Sequence, residues 1–137
     1  MESEKIYFSD IYSKNNVNFI YPKQNELEQY SNEIKRYTTY EIRNSKLIDL
    51  FETLLKTVLP IQEEITVFHG IDDSLGMSVS LKKEIAIHFA LVSKCNFYYK
   101  IKLPIGTKCL FFYHYSPVPY EFEIYLGKKI KLNHLLY

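Results

Sequence analysis

One change of period divides this chain, and it falls at Pro60. Before Pro60 the apolar residues recur at helical spacing. Leu27, Tyr30, Ile34 and Tyr37 lie three and four apart, and Leu47, Phe51, Leu54, Leu55 and Val58 line a single face. Asn25 with Glu28 reads as a capping box for the first helix. A second is expected from about Tyr40 to Leu59, with Pro60 ending it. After Pro60 short β-branched and alternating runs take over: Ile65 to Phe68, Gly76 to Ser80, Phe97 to Leu103, Cys109 to Tyr115, Glu121 to Leu126 and Lys129 to Leu136. A helix from Lys82 to Val92 interrupts them, Pro104-Ile105-Gly106 turns the chain, and Gly127 is read as a tight turn between the last two strands. Helices first and strands later predict an α+β fold, not a repeated βαβ unit.

At 137 residues this is expected to be a single domain spanning 1–137, its helical part about 1–60 and its strand-rich part about 61–137. Hydrophobic residues at 47% supply enough apolar surface for a core. No apolar run reaches the roughly 18 residues of a membrane helix. The opening MESEKIYFSD is acidic and polar where a secretory signal is basic and then apolar, so a soluble, cytoplasmic protein is expected, in its own cell or a host's. Seventeen basic against sixteen acidic residues argue against a broad nucleic-acid footprint. Cys95 and Cys109 lack CxxC spacing and read as reduced thiols. His88, His114 and His134 share no ligand spacing with them, so no metal site is expected. Thirteen Tyr without Trp, amid much Lys, Asn and Ile, suggest an AT-rich genome such as some viruses and intracellular bacteria have.

Tyr120-Glu121-Phe122-Glu123-Ile124-Tyr125-Leu126 is where chemistry concentrates. On a strand, residues two apart share a face, so Glu121 and Glu123 are expected to project together while Phe122, Ile124 and Leu126 point to the core. Adjacent carboxylates repel, at a cost in stability unless a cation or a substrate compensates. Taken alone, the pair reads first as two solvated acids on an exposed face.

Three upstream blocks join that pair in one order. Tyr37-Thr38-Thr39 to Asn44, then Leu47 and Ile65-Thr66-Val67-Phe68-His69-Gly70, resembles the opening of ADP-ribosyltransferase exoenzyme domains, "YT…iN..L" then "ltvyRG". Gly76-Met77-Ser78-Val79-Ser80 with Ala86 and Phe89 is similar to their "f.STS……A..F". Ile101 to Lys108, Ser116, and Glu121 to Leu126 resemble "i.iPkGtk….s….ExEvLL". The resemblance covers roughly residues 30 to 135. It implies the Arg-Ser-Glu branch and a split, mostly antiparallel β-sheet core of the ADP-ribosyltransferase type behind the N-terminal helices.

The activity it implies is mono-ADP-ribosyl transfer from NAD⁺, the co-substrate, to a protein arginine; a monomer is expected, with no membrane partner and, on the charge balance, no nucleic-acid partner. Glu123 would stabilise the positive charge that develops as the glycosidic bond breaks, a role a fixed carboxylate suits. Glu121 would orient and deprotonate the acceptor, and its pairing with a guanidinium favours arginine. Ser78 would support the NAD⁺ pocket and hold Glu123 by a hydrogen bond. Ser80 falls in the same motif or caps the following helix. Phe89 would meet the nicotinamide ring or belongs to the core. Gly70 would let the backbone approach the carboxamide. Tyr115 and Tyr120 fall in the loop that contacts the acceptor. The family's Arg is His69 here, which lacks the permanent planar charge but is a candidate ligand for the adenosine ribose. Val79 replaces the Thr of the serine motif. These departures keep two alternatives open: an inactive NAD-binding or protein-binding module on the same fold, and transfer to a non-arginine acceptor, nucleic acid included.

Overall fold

The structure, a computed structural model, describes residues 2–8, 22–39, 41, 43–70 and 76–128. The expected strand from Lys129 to Leu136 lies outside them. The fold is α+β. Six strands, β1 (Glu2–Tyr7), β2 (Ile65–His69), β3 (Gly76–Ser80), β4 (Phe97–Leu103), β5 (Leu110–Phe111) and β6 (Glu123–Lys128), form one sheet in the order β1-β4-β2-β3-β6-β5. Every pairing in it is antiparallel. Three helices pack on it: α1 (Ser31–Thr38), α2 (Ser45–Leu55) and α3 (Lys83–Val92). None is long and apolar enough to cross a membrane.

The sheet is nearly split. β2 pairs with β4 from Ile65↔Leu103 to His69↔Tyr99, and β3 with β6 from Gly76↔Lys128 to Ser80↔Glu123. Between β2 and β3 the register holds one pair, Phe68↔Ser80. One face of both halves carries a shared cluster of Val67, Val79, Tyr99, Ile101, Phe111 and Ile124, to which no helix contributes. Residues of β4 and of the edge strand β5 both belong to it, so the cluster runs across the two halves. On the opposite face α2 buries Leu47, Ile48, Phe51, Leu54 and Leu55 against Leu110, Phe112 and Tyr125, while Ala86 of α3 packs on Ile6, Phe68 and Tyr98. Each fully buried large side chain stabilises by about 1.5–3 kcal/mol.

Several boundaries differ from expectation for local reasons. α2 starts at Ser45 because the Asn44 side chain accepts the Leu47 N–H at 3.0 Å, and it stops at Leu55, where Thr57 Oγ1 donates to the Leu54 carbonyl. The Asn25–Glu28 capping box does not form. Asn25 lies inside a 3₁₀ segment, Asn25–Tyr30, which leads into α1 and has Gln24 at its N-cap. The strand expected from Cys109 to Tyr115 shrinks to Leu110–Phe111, since the Phe112 carbonyl takes the N–H groups of both Tyr115 and Ser116 and turns the chain. Gly127 is no turn. It sits inside β6 at φ 140°, where the β3–β6 register slips between Met77 and Ser78. The chain also opens with a strand, so the first 60 residues are not all helical. β1 shows only Ile6 to the core, and its polar residues find complements across the edge: Glu4 faces Lys100 and Lys5 lies over the Phe97 ring at 4.3 Å.

Candidate functional site

Where the sheet splits, a cleft opens that is lined by Phe68, Gly70, Ser78, Val79, Ser80, Ile85, Ala86, Phe89, Glu121 and Glu123. Six of the seven residues singled out in the sequence as catalytic or cofactor-binding thus share one cavity, from β2, β3, α3 and the start of β6. His69 is the exception.

The two glutamates come together differently from the expected alternation. Glu121 ends a 3₁₀ turn, Pro119–Glu121, and β6 begins only at Glu123. Between them Phe122 is left-handed at φ 49°, ψ 44°. A bulky residue in that region is strained by roughly 1–2 kcal/mol. Offsetting contacts are present: Phe122 stacks on Tyr113 with centroids 5.4 Å apart, and Lys82 Nζ lies 4.6 Å from its ring. The turn is tied to β3 by Ser80, whose hydroxyl donates to the Glu121 carbonyl at 2.7 Å and accepts the Lys82 N–H at 3.0 Å. Ser80 is therefore not the N-cap of α3, which is Lys82.

Glu123 is only 8% exposed, and Arg43 Nη2 lies 3.5 Å from its Oε2. Arg43 comes from the residue before the α2 cap and is itself 10% exposed. Its guanidinium sits over the Tyr37 ring, 4.0 Å from the centroid, and its Nε donates to the Tyr37 carbonyl at 2.9 Å. Tyr37 is rigid in turn, wedged edge-on against Phe51, Phe112 and Tyr125. Glu121 is half-buried. Burial pushes its carboxyl above the ordinary value of 4.5, and the charges of Arg43 and His88 oppose that rise.

Ser78 does not bond Glu123 as expected. Its hydroxyl lies 3.1 Å from Tyr37 Oη, and Arg43 holds the glutamate instead. Gly70 makes its close approach to α3. A Cβ there would run into the Ala86 carbonyl and lie 2.9 Å from both the Ala90 nitrogen and Phe89 Cβ, so this glycine seats α3 against the end of β2. Phe89, on the α3 face with Ile85 and Ala86, forms a cleft wall.

His69 is 1% exposed and does not line the cleft. Phe68 pairs with Ser80, so those two share a face, and His69 points to the other, with Val67 and Val79. Its Nδ1 lies 2.9 Å from the Ser78 carbonyl. A carbonyl only accepts, so Nδ1 carries the hydrogen. The ring thus adds a cross-strand bond where the β2–β3 ladder has almost none. In the loop expected to meet an acceptor, Tyr120 is 61% exposed, whereas Tyr115 donates its hydroxyl to the Gln24 carbonyl at 2.9 Å.

Arg43 is the residue sequence reading missed. Two adjacent glutamates ask for a cation, and Arg36 and Arg43 are the only arginines beside fifteen lysines. In so lysine-rich a chain an arginine marks a place where a planar, permanently charged group is needed. Space is limited: the cleft encloses about 20 Å³, room for a water molecule. A groove of about 630 Å³ between Lys23–Glu26 and Leu59–Glu63 is roomier but holds none of the candidate residues. Among the described residues no group of three or more His, Cys, Asp or Glu is placed to hold a metal ion. Comparison with protein-family models, with curated proteins and with solved structures finds no match to this chain.

Proposed function

We propose that this chain is a mono-ADP-ribosyltransferase of the Arg-Ser-Glu type that moves ADP-ribose from NAD⁺ to a protein arginine. The observation that carries this reading is the gathering of Glu121 and Glu123 with Ser78, Ser80, Gly70 and Phe89 in one cleft, at the seam between two half-sheets. Backbone strain at Phe122, between the two carboxylates, adds to it, because strained residues of this kind cluster at functional sites. In the reaction the nicotinamide–ribose C–N bond breaks and its electron pair leaves with nicotinamide. A guanidinium nitrogen of the acceptor bonds the ribose carbon and gives up a proton. Glu123 faces the developing cation. Glu121, with a carboxyl made more basic by burial, takes the proton.

A second reading, an inactive protein-binding module on the same fold, is favoured by the cleft's volume of about 20 Å³. Pockets for drug-sized ligands measure roughly 300–1,000 Å³, so a dinucleotide requires this one to open.

The test is nicotinamide release from NAD⁺, with and without a small guanidine acceptor, by wild type and Glu123→Gln. Loss of one preorganised electrostatic contact lowers the rate by about 10²–10³, with the unfolding midpoint retained. An equal rate in both proteins removes Glu123 from the chemistry. Absence of both nicotinamide release and calorimetric NAD⁺ binding in wild type selects the module.

A further inference from the structure

We infer that Arg43 is a positioning residue of this cleft, one that holds the Glu123 carboxylate ionised and aimed through a fixed guanidinium. The inference deepens the proposed reaction and rests on it for its kinetic arm only.

Three contacts fix the guanidinium from separate directions: the Tyr37 ring beneath it at 4.0 Å, the Tyr37 carbonyl on Nε at 2.9 Å, and Glu123 Oε2 at 3.5 Å from Nη2. The platform cannot shift freely, because Tyr37 is fully buried among Phe51, Phe112 and Tyr125 and its hydroxyl meets Ser78 on β3. A carboxylate that is 8% exposed loses most of its hydration, and a cation at contact distance offsets the cost of keeping it charged. The other charged or titratable groups around the pair are Glu121 beside it, His88 on α3 acting on Glu121, and Lys82 over Phe122. Arg43 is in contact with Glu123. It also does what His69 cannot. That ring points to the opposite face of the sheet, whereas Arg43 sets permanent positive charge against Glu123, which lines the cleft.

The test uses Arg43→Ala and Arg43→Lys in the full chain, with two readouts. The first is a double-mutant cycle of Arg43→Ala with Glu123→Gln, measured by urea unfolding. The losses are expected to fall short of additive, because each single variant strands the other partner. Additive losses would overturn the inference whether or not the protein turns over NAD⁺. The second is the pH profile of nicotinamide release. Arg43→Ala is expected to slow release about 10²-fold, the scale of a catalytic group misplaced by about 1 Å, and to move the acid limb to higher pH. Added methylguanidinium, which can also serve as acceptor, should raise the rate of Arg43→Ala by a larger factor than that of wild type. Arg43→Lys keeps the charge, so its acid limb should stay near that of wild type while its rate falls, which also covers the case in which the alanine variant fails to fold. A uniformly slower profile with an unmoved acid limb and no rescue means that Arg43 only supports the fold. If wild type releases no nicotinamide, the proposed reaction fails, and the double-mutant cycle still decides the role of Arg43.

Discussion

Gln24 offers a clean test of how the edge beside the cleft is held. Its buried amide spans two backbone groups: Nε2 donates to the Cys109 carbonyl at 2.8 Å, and Oε1 accepts the Phe111 N–H at 2.8 Å. β5 has only two residues paired with β6, Leu110↔Tyr125 and Phe111↔Ile124, so this side chain serves as its missing neighbour strand. Gln24→Met keeps the side-chain length and removes both bonds. Each buried backbone group left unpaired costs about 1–3 kcal/mol. The 630 Å³ groove is lined by Gln24 and Phe111, so water can reach part of the lesion and the low end applies. The expected loss is about 2 kcal/mol, a sizeable share of a typical stability of roughly 5–15 kcal/mol. Urea unfolding followed by circular dichroism reads it as a lower midpoint at unchanged slope. The effect should extend to the cleft, because Phe112, next to β5, donates its N–H to the Glu123 carbonyl at 3.1 Å. A loss below about 0.5 kcal/mol, the scatter of ordinary surface substitutions, refutes the argument.

Glu121→Gln should stabilise the fold at neutral pH while impairing the proposed transfer to arginine. The folded carboxyl titrates above 4.5, so the unfolded chain ionises first as pH rises and the native state loses stability over that interval. The advantage of the variant should therefore be absent well below pH 4.5 and level off once the folded carboxyl has ionised; equal unfolding midpoints across that range would count against it. The two thiols should differ sharply. Cys109 is 1% exposed with its thiol pushed up to about 12 by burial, whereas Cys95 is partly exposed, so a thiol reagent at neutral pH should modify Cys95 alone until denaturant is added. Rapid native labelling of both would contradict the packing around β5.

What could be read from the sequence was local. α2 shows itself through its apolar stripe and the stop before Pro60, though not through its Asn44 cap, and β4 through the alternation of Tyr99, Ile101 and Leu103 with lysines. What escaped depends on partners far along the chain. β1 looks polar until Lys100 and Phe97 of β4 stand opposite it. Arg43 gains meaning only from Glu123, eighty positions later. The face of His69 follows from one register pair, Phe68↔Ser80, and a slip of one residue would have turned the ring into the cleft. The Glu121/Glu123 pair was visible as spacing, but the left-handed Phe122 that joins them was not, because nothing in an aromatic residue announces that conformation.

The seam itself has a physical logic that bears on the cleft's small volume. Along β2–β4 and β3–β6 the strands are locked by backbone ladders, which open only by breaking several bonds together. Between β2 and β3 the backbone contributes one register pair, and one side-chain bond, His69 to the Ser78 carbonyl, spans the seam; Ser80 to the Glu121 carbonyl and Ser78 to Tyr37 brace the β3 side alone. Side-chain bonds exchange partners by rotamer changes, without unzipping a strand. α3 rests on β2 through Gly70 and can follow the seam, while Tyr37 and Arg43 stay anchored in the α2 layer. Widening by parting the β2–α3 side from the β3–β6 side would therefore leave the Arg43–Glu123 pair intact and enlarge the space in front of it. Such a movement admits a ligand larger than a water molecule at the cost of the His69 bond, the Phe68↔Ser80 pair and part of the apolar cluster the two halves share, and it makes the seam the first place to look for change when NAD⁺ is added.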